Sequence, residues 1–152
     1  MLYTERLTVR PASDEELRAL IDAEPVEEMK TAYREMLAGC LKHPERRQWY
    51  TIWRIDTRDG THIGDLCFKG VSADGSTELG YGILPEYQGR GYATEAAAAA
   101  VSWALRQPGI VSVEAETDSG NIASQRVLEK LGFTATGQLG EEGPRFAIRA
   151  DG

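Results

Sequence analysis

Leu7 and Val9 alternate with Arg6, Thr8 and Arg10 before Pro11, the pattern of a first strand buried on one face. Ser13 with Glu16 three residues on forms a capping box, which predicts a short helix from Asp14 to about Ala23. Pro25 opens a second helix. In it Val26, Met29, Tyr33, Met36, Leu37 and Cys40 recur at helical spacing and bury one stripe, ending near Pro44. Three runs of strand character follow, Trp49 to Ile55, Thr61 to Lys69 and Thr77 to Leu84, separated by the turn pairs Asp59-Gly60 and Asp74-Gly75. They read as an antiparallel meander. After Pro85 a helix is expected from about Gly91 to Arg106, ended by Pro108-Gly109, and then a strand from Ile110 to Thr117. Strand, helix and strand in that order imply a right-handed crossover and a locally parallel pair. A last helix, Asn121 to Leu131, stops at Gly132, and two strand-like tails close the chain, Phe133 to Leu139 and Arg145 to Ala150. The fold class is α/β in the α+β sense, a mixed sheet flanked by helices.

With 152 residues, 41% of them hydrophobic, the chain has apolar surface for one shared core, so a single domain over residues 1–152 is expected. No apolar leader opens it, and its longest apolar stretch, Ala96 to Val101, falls far short of a membrane span. A cytoplasmic protein without membrane contact is the expectation. Cys40 and Cys67 lie in separate elements without metal-ligand spacing, and His43 and His62 stand apart, so buried thiols and no metal are expected. A net charge of -7 with no basic patch excludes nucleic acid as a partner. Any phosphate-bearing ligand must therefore be attracted locally, while an acidic surface suits a cationic amine and also serves solubility.

The chemistry concentrates between the third meander strand and the long helix. Free backbone N–H groups point outward at a helix start, and the helix dipole adds about +0.5 charge there. In the segment Gln88 to Ala93, Gly89 and Gly91 permit unusual dihedrals and leave no β-carbon to obstruct a phosphate. Arg90 offers a charge, and Ala93 keeps the helix start slim. Such a turn suits a phosphate-bearing anion, or else merely starts the helix, and it favours neither NAD nor ATP. The third glycine of a dinucleotide fingerprint is missing, and no Lys-Ser or Lys-Thr follows. On the preceding strand Glu78, Gly80, Gly82 and Leu84 share one face, and Leu79, Tyr81 and Ile83 the other. Two glycines on one face weaken a strand; close approach of a ligand, a bulge or tight helix packing would each explain them.

Gln88-x-x-Gly91-x-Ala93, preceded by Glu78-Leu79-Gly80-Tyr81 and followed by Asn121-x-x-Ser124 and Leu131-Gly132-Phe133, resembles the GNAT superfamily of acetyl-CoA-dependent N-acetyltransferases. The chain is most similar to the branch that acetylates ribosomal-protein N-termini, from Thr4-Glu5-Arg6-Leu7 to the tail strands. The resemblance implies a mostly antiparallel sheet whose central parallel strands splay apart to hold the thioester. It implies that Gln88, Gly89, Arg90, Gly91, Tyr92, Ala93 and Thr94 bind the pyrophosphate of coenzyme A, and that the backbone of Gly82, Ile83 and Leu84 binds the pantetheine arm. Direct attack within a ternary complex is the implied reaction. The acceptor would be a small-molecule amine or a peptide N-terminus, and a homodimer is a family-level expectation.

Such a reaction needs a neutral amine, a stabilised oxyanion and a proton for the departing thiolate. Glu78 is the candidate base, working through water, with Glu116 in reserve. Asn121 and Ser124 stand three apart at a helix start and can face one cleft, although either also suits a cap and both can touch the cofactor. Many relatives carry a proton-donating tyrosine seven residues after the asparagine. Here that position is Leu128, which has no proton to give, so Ser124 is the substitute. Tyr81 and Tyr92 are assigned to packing. The missing tyrosine also keeps open a catalytically weak acyl-CoA sensor or scaffold, and a purely structural protein would bind no coenzyme A.

Overall fold

The computed structural model describes residues 1–150, so the last two residues of the expected domain lie outside the described residues. Eight strands form one sheet in the order β1-β2-β3-β4-β5-β6-β8-β7. They are β1 (Leu2–Tyr3), β2 (Leu7–Pro11), β3 (Ile52–Thr57), β4 (His62–Phe68), β5 (Ser76–Ile83), β6 (Ser112–Glu116), β7 (Thr134–Leu139) and β8 (Pro144–Arg149). The helices are α1 (Asp14–Ala23), α2 (Glu27–Lys42), α3 (Tyr92–Leu105) and α4 (Ile122–Lys130). The pairings are antiparallel except for β5 with β6, the pair joined across α3.

Alternation decides which helices cover which face. Val9, Ile55, Leu66, Phe68, Leu79, Val113 and Ala115 meet α3 in the main core. Ala96, Ala97, Ala100 and Ala104 are at most 1% exposed there. Their small side chains let α3 lie close to the sheet, which carries its N-terminus up to the end of β5. Beneath it Trp49, Trp53, Phe68 and Trp103 pack with ring centroids 4.8–5.9 Å apart. A smaller core of Leu17, Tyr33, Cys40 and Ile52 holds α1 and α2 over the other face. The capping box expected at Ser13 and Glu16 is present, and Arg10 of β2 grips Glu16 with two hydrogen bonds of 2.7 and 2.9 Å.

One boundary moves by more than two residues from the sequence pattern, and one strand is added. The expected strand from Trp49 begins later because Pro44 starts a 3-10 turn through Trp49, and Thr51 N–H still donates to Arg47. The chain is extended only from Ile52. Short β1, not expected from the pattern, pairs along the outer edge of β2.

Candidate active site

The parallel pair is joined only over Ser76–Glu78 and Ser112–Glu114. Beyond this, β5 continues as Leu79–Ile83 and β6 as Ala115–Glu116 with no pairing between them, and the sheet opens. A cavity of about 150 Å³ lies in the opening, lined among others by Lys69, Glu78, Tyr81, Glu116, Ser124 and Glu142. Because neighbouring residues of a strand point to opposite faces, this cavity joins two chemistries. Carboxylates gather on the α1/α2 side. Hydroxyls gather on the α3/α4 side.

On the first side Arg145 of β8 is the hub. Its guanidinium reaches Glu78 at 2.9 Å, Glu116 at 2.8 Å and Glu114 at 3.5 Å, and Lys69 Nζ lies 2.7 Å from the second oxygen of Glu78. Glu142 lines the same cavity, and its N–H donates to Glu116 at 3.0 Å. Three carboxylates thus share two cations, with Glu142 beside them. Burial pushes the Glu78 carboxyl up, but its hydrogen bonds to Lys69 and Arg145 outweigh this and hold it below the usual range. The same bonds raise Lys69 and Arg145. On this face nothing lies within 4 Å of a β-carbon placed on Gly82, whereas one on Gly80 would touch Cys67 and Lys69 at ordinary contact distance. Tight helix packing therefore does not account for the glycine there.

On the second side the Tyr81 hydroxyl from β5 lies 2.8 Å from Ser124 Oγ of α4. Burial raises the Tyr81 phenol above its ordinary value, offset in part by its bond to Ser124. Leu128 is fully buried beside them. Asn121 stands apart from this pair. Its Oδ1 accepts the Ser124 N–H at 3.0 Å as the N-cap of α4, and it does not line the cavity.

The turn at the head of α3 has the shape that the glycines predict. Gly89 and Gly91 take φ of +77° and +81°, and Gly91 is the N-cap without a side-chain capping bond. The N–H groups of Tyr92, Ala93 and Thr94 lie in the first helical turn and have no partner within the helix. Bare amides at a positive helix end form an anion seat. Arg90 lies over the Tyr87 ring at 5.8 Å. Gln88 braces the turn, its Nε2 donating to Ile83 O at 2.9 Å.

Arg6 holds the seat from behind, a part the sequence reading missed. Its Nη1 donates to Arg90 O at 3.0 Å, its Nε meets Glu95 at 2.7 Å, and its guanidinium covers the Tyr92 ring at 4.4 Å. Thr4 Oγ1 also bonds Glu95. The only advance signal was the Thr4-Glu5-Arg6-Leu7 run, which carried no assigned role.

The backbone at the open edge needs a correction. Lys69 N–H donates to Glu78 O at 2.9 Å and Leu84 N–H to Ile63 O at 2.8 Å, and Asp65 faces Gly82 in the same register. Backbone groups of even-numbered β5 residues therefore turn to β4. Gly82 and Leu84 are spent on the sheet, whereas Leu79, Tyr81 and Ile83 turn theirs to the opening.

Among the described residues no group of three or more His, Cys, Asp or Glu side chains is arranged to hold a metal ion, and no helix is long and apolar enough to cross a membrane.

A profile of the Acetyltransferase (GNAT) domain family matches residues 6–134. The chain is 28% identical to the uncharacterised N-acetyltransferase YoaA of Bacillus subtilis, with 91% of this chain and 85% of that one covered. Among solved structures, spermidine N-acetyltransferase from Vibrio cholerae in complex with CoA and spermine superposes with a TM-score of 0.74 at 20% identity, covering 97% of each chain. RimL, the ribosomal L7/L12 alpha-N-protein acetyltransferase in complex with coenzyme A, gives 0.76 at 17% identity over 97% of this chain and 96% of that one. At such identity the structural likeness speaks for the fold.

Proposed function

Because the chain belongs to the GNAT acetyltransferase family, we propose that it moves the acetyl group of acetyl-CoA to a primary amine by direct attack in a ternary complex. One observation carries this reading. The sheet parts at the end of β5 that leads into the anion seat of α3, so a diphosphate on the amides of Gly89 to Thr94 leaves its arm beside the opening. The arm would run along the backbone of Leu79, Tyr81 and Ile83, where the Ile83 carbonyl already accepts from Gln88, and the thioester would sit between the two faces.

The acceptor enters from the carboxylate side. Glu78, Glu114, Glu116 and Glu142 outnumber Lys69 and Arg145, so a protonated amine is drawn in by local charge. Glu78 is the base that takes the ammonium proton through water, with Glu116 in reserve, and Ser124 faces the departing sulfur. Asn121 fixes the start of the helix that carries Ser124. Relatives of this fold include enzymes named for spermidine and for a ribosomal-protein N-terminus, both amines.

A thiol-release screen with acetyl-CoA over polyamines, small amines and N-terminal peptides tests the reading. Release in proportion to an added amine is expected. Coenzyme A binding without release from any amine would instead favour the acyl-CoA sensor that Leu128 brings to mind.

A further inference from the structure

Leu128, buried beside the opening, has no proton to give a departing thiolate, and serine alone is a poor donor. A serine alkoxide is far more basic than a thiolate, so Ser124 can part with its proton only if another group refills it in the same event. The opening supplies such a group from an unexpected direction. Tyr81 belongs to β5, on the other side of the opening from α4, yet its hydroxyl lies 2.8 Å from Ser124 Oγ. We propose that Tyr81 and Ser124 form a two-hydroxyl proton relay to the leaving sulfur, with Tyr81 as the proton source that acts through Ser124. This rests on the acetyltransferase reading above.

The step balances as follows. The amine nitrogen bonds to the thioester carbonyl carbon, and the C–S bond breaks with its electron pair on sulfur. Ser124 O–H gives its proton to sulfur while Tyr81 O–H gives its own to Ser124 Oγ. Of the two protons that the ammonium sheds on becoming an amide, one restores Tyr81 through water and one leaves to solvent. The phenol suits this task because its ordinary pKa of about 10 keeps it protonated at neutral pH yet lies nearer to a thiol than a serine does. The charged groups lining the same cavity are Lys69, Glu78, Glu116 and Glu142, and Arg145 is engaged by Glu78 and Glu116. Among the described residues none of them hydrogen-bonds the hydroxyl pair, so the relay carries a proton without an ion-pair partner.

Tyr81→Phe is the first test, because it removes the hydroxyl and keeps the ring packed. Single-turnover acetyl transfer would be measured with acetyl-CoA and the amine that gives the fastest thiol release. The measurements are repeated in mixtures of H2O and D2O, and coenzyme A binding is followed by calorimetry. Wild type should show a solvent isotope effect that curves with deuterium fraction, as expected when two protons move together. Y81F should bind coenzyme A within about twofold of wild type, turn over about 100-fold more slowly, and lose the curvature. An unchanged rate and an unchanged isotope dependence in Y81F would overturn the relay while leaving the acetyltransferase reading intact. If no amine releases thiol from wild type, both fall. Should Y81F lose coenzyme A binding, Ser124→Thr and Ser124→Ala decide. Threonine should keep the rate and the curvature, alanine should lose both, and equal behaviour of the two would overturn the relay.

Discussion

Held between Lys69 at 2.7 Å and Arg145 at 2.9 Å, the Glu78 carboxylate stays ionised below the pH at which a free glutamate would protonate. Ionised and depressed, it is always ready to accept a proton but only weakly basic. Its contribution should therefore fall below the 10²–10⁴-fold typical of a well-matched base. Glu78→Gln is expected to lower kcat about 10-fold with coenzyme A affinity retained; an unchanged kcat would remove Glu78 from the reaction. The sign of the pH dependence follows from the same pairing. A lowered carboxylate titrates on the acid side of its ordinary value of about 4.3, so Glu78 adds no limb near neutrality. Between about pH 6 and 9 wild-type kcat/KM should rise as the acceptor ammonium loses its proton. Single residues also mark what the sequence could and could not tell. Leu128 disclosed a missing proton donor on inspection. Arg145, by contrast, meets Glu78 across 67 positions of chain, and no local pattern announces such a contact. Tyr81 read as packing for the same reason: its partner Ser124 is 43 positions away, and only the approach of α4 to β5 brings the hydroxyls together.

The turn into α3 was the most legible element, because the demand it makes is local. Two glycines flanking Arg90 after a proline-ended strand call for positive φ, and Gly89 and Gly91 both adopt it. Less legible was the face that each backbone group would take. The resemblance implies cofactor contacts from the backbone of Gly82, Ile83 and Leu84; strand pairing turns Gly82 and Leu84 to β4 and Leu79, Tyr81 and Ile83 to the open edge. Arg6 shows how distant chain supports the element, gripping Arg90 O and Glu95 from before β2. A methyl group on Gly91 would both strain a left-handed residue, by about 1 kcal/mol, and stand 3.4 Å from Arg6 Nη2. Gly91→Ala is therefore expected to weaken coenzyme A binding about 10-fold or more while the protein stays folded. Equal affinity in calorimetry would mean that the turn does not carry the diphosphate.

At the scale of the molecule, an anionic cofactor meets a chain of net charge -7. It can do so because opposite charges are sorted in space. The amide-lined head of α3 suits an anion, while the carboxylates around Arg145 lie on the sheet face that α3 does not cover. The parted sheet connects the two regions, so in the proposed reaction donor and acceptor would meet within it without sharing an entrance. The mixed sheet, the single parallel pair and the helices on both faces followed from the order of elements and from alternation, which are properties of chain neighbours. The point at which β5 and β6 separate did not, since no pattern among chain neighbours marks where their pairing stops.

Calorimetric titration of coenzyme A, set beside pantetheine, into the wild-type protein tests the central claim most directly. If the diphosphate sits on the α3 amides, coenzyme A should bind one to one with a Kd in the micromolar range. Pantetheine, which lacks those charge-assisted bonds, should bind about 10-fold or more weakly. No binding of coenzyme A, or pantetheine of equal affinity, would contradict the account.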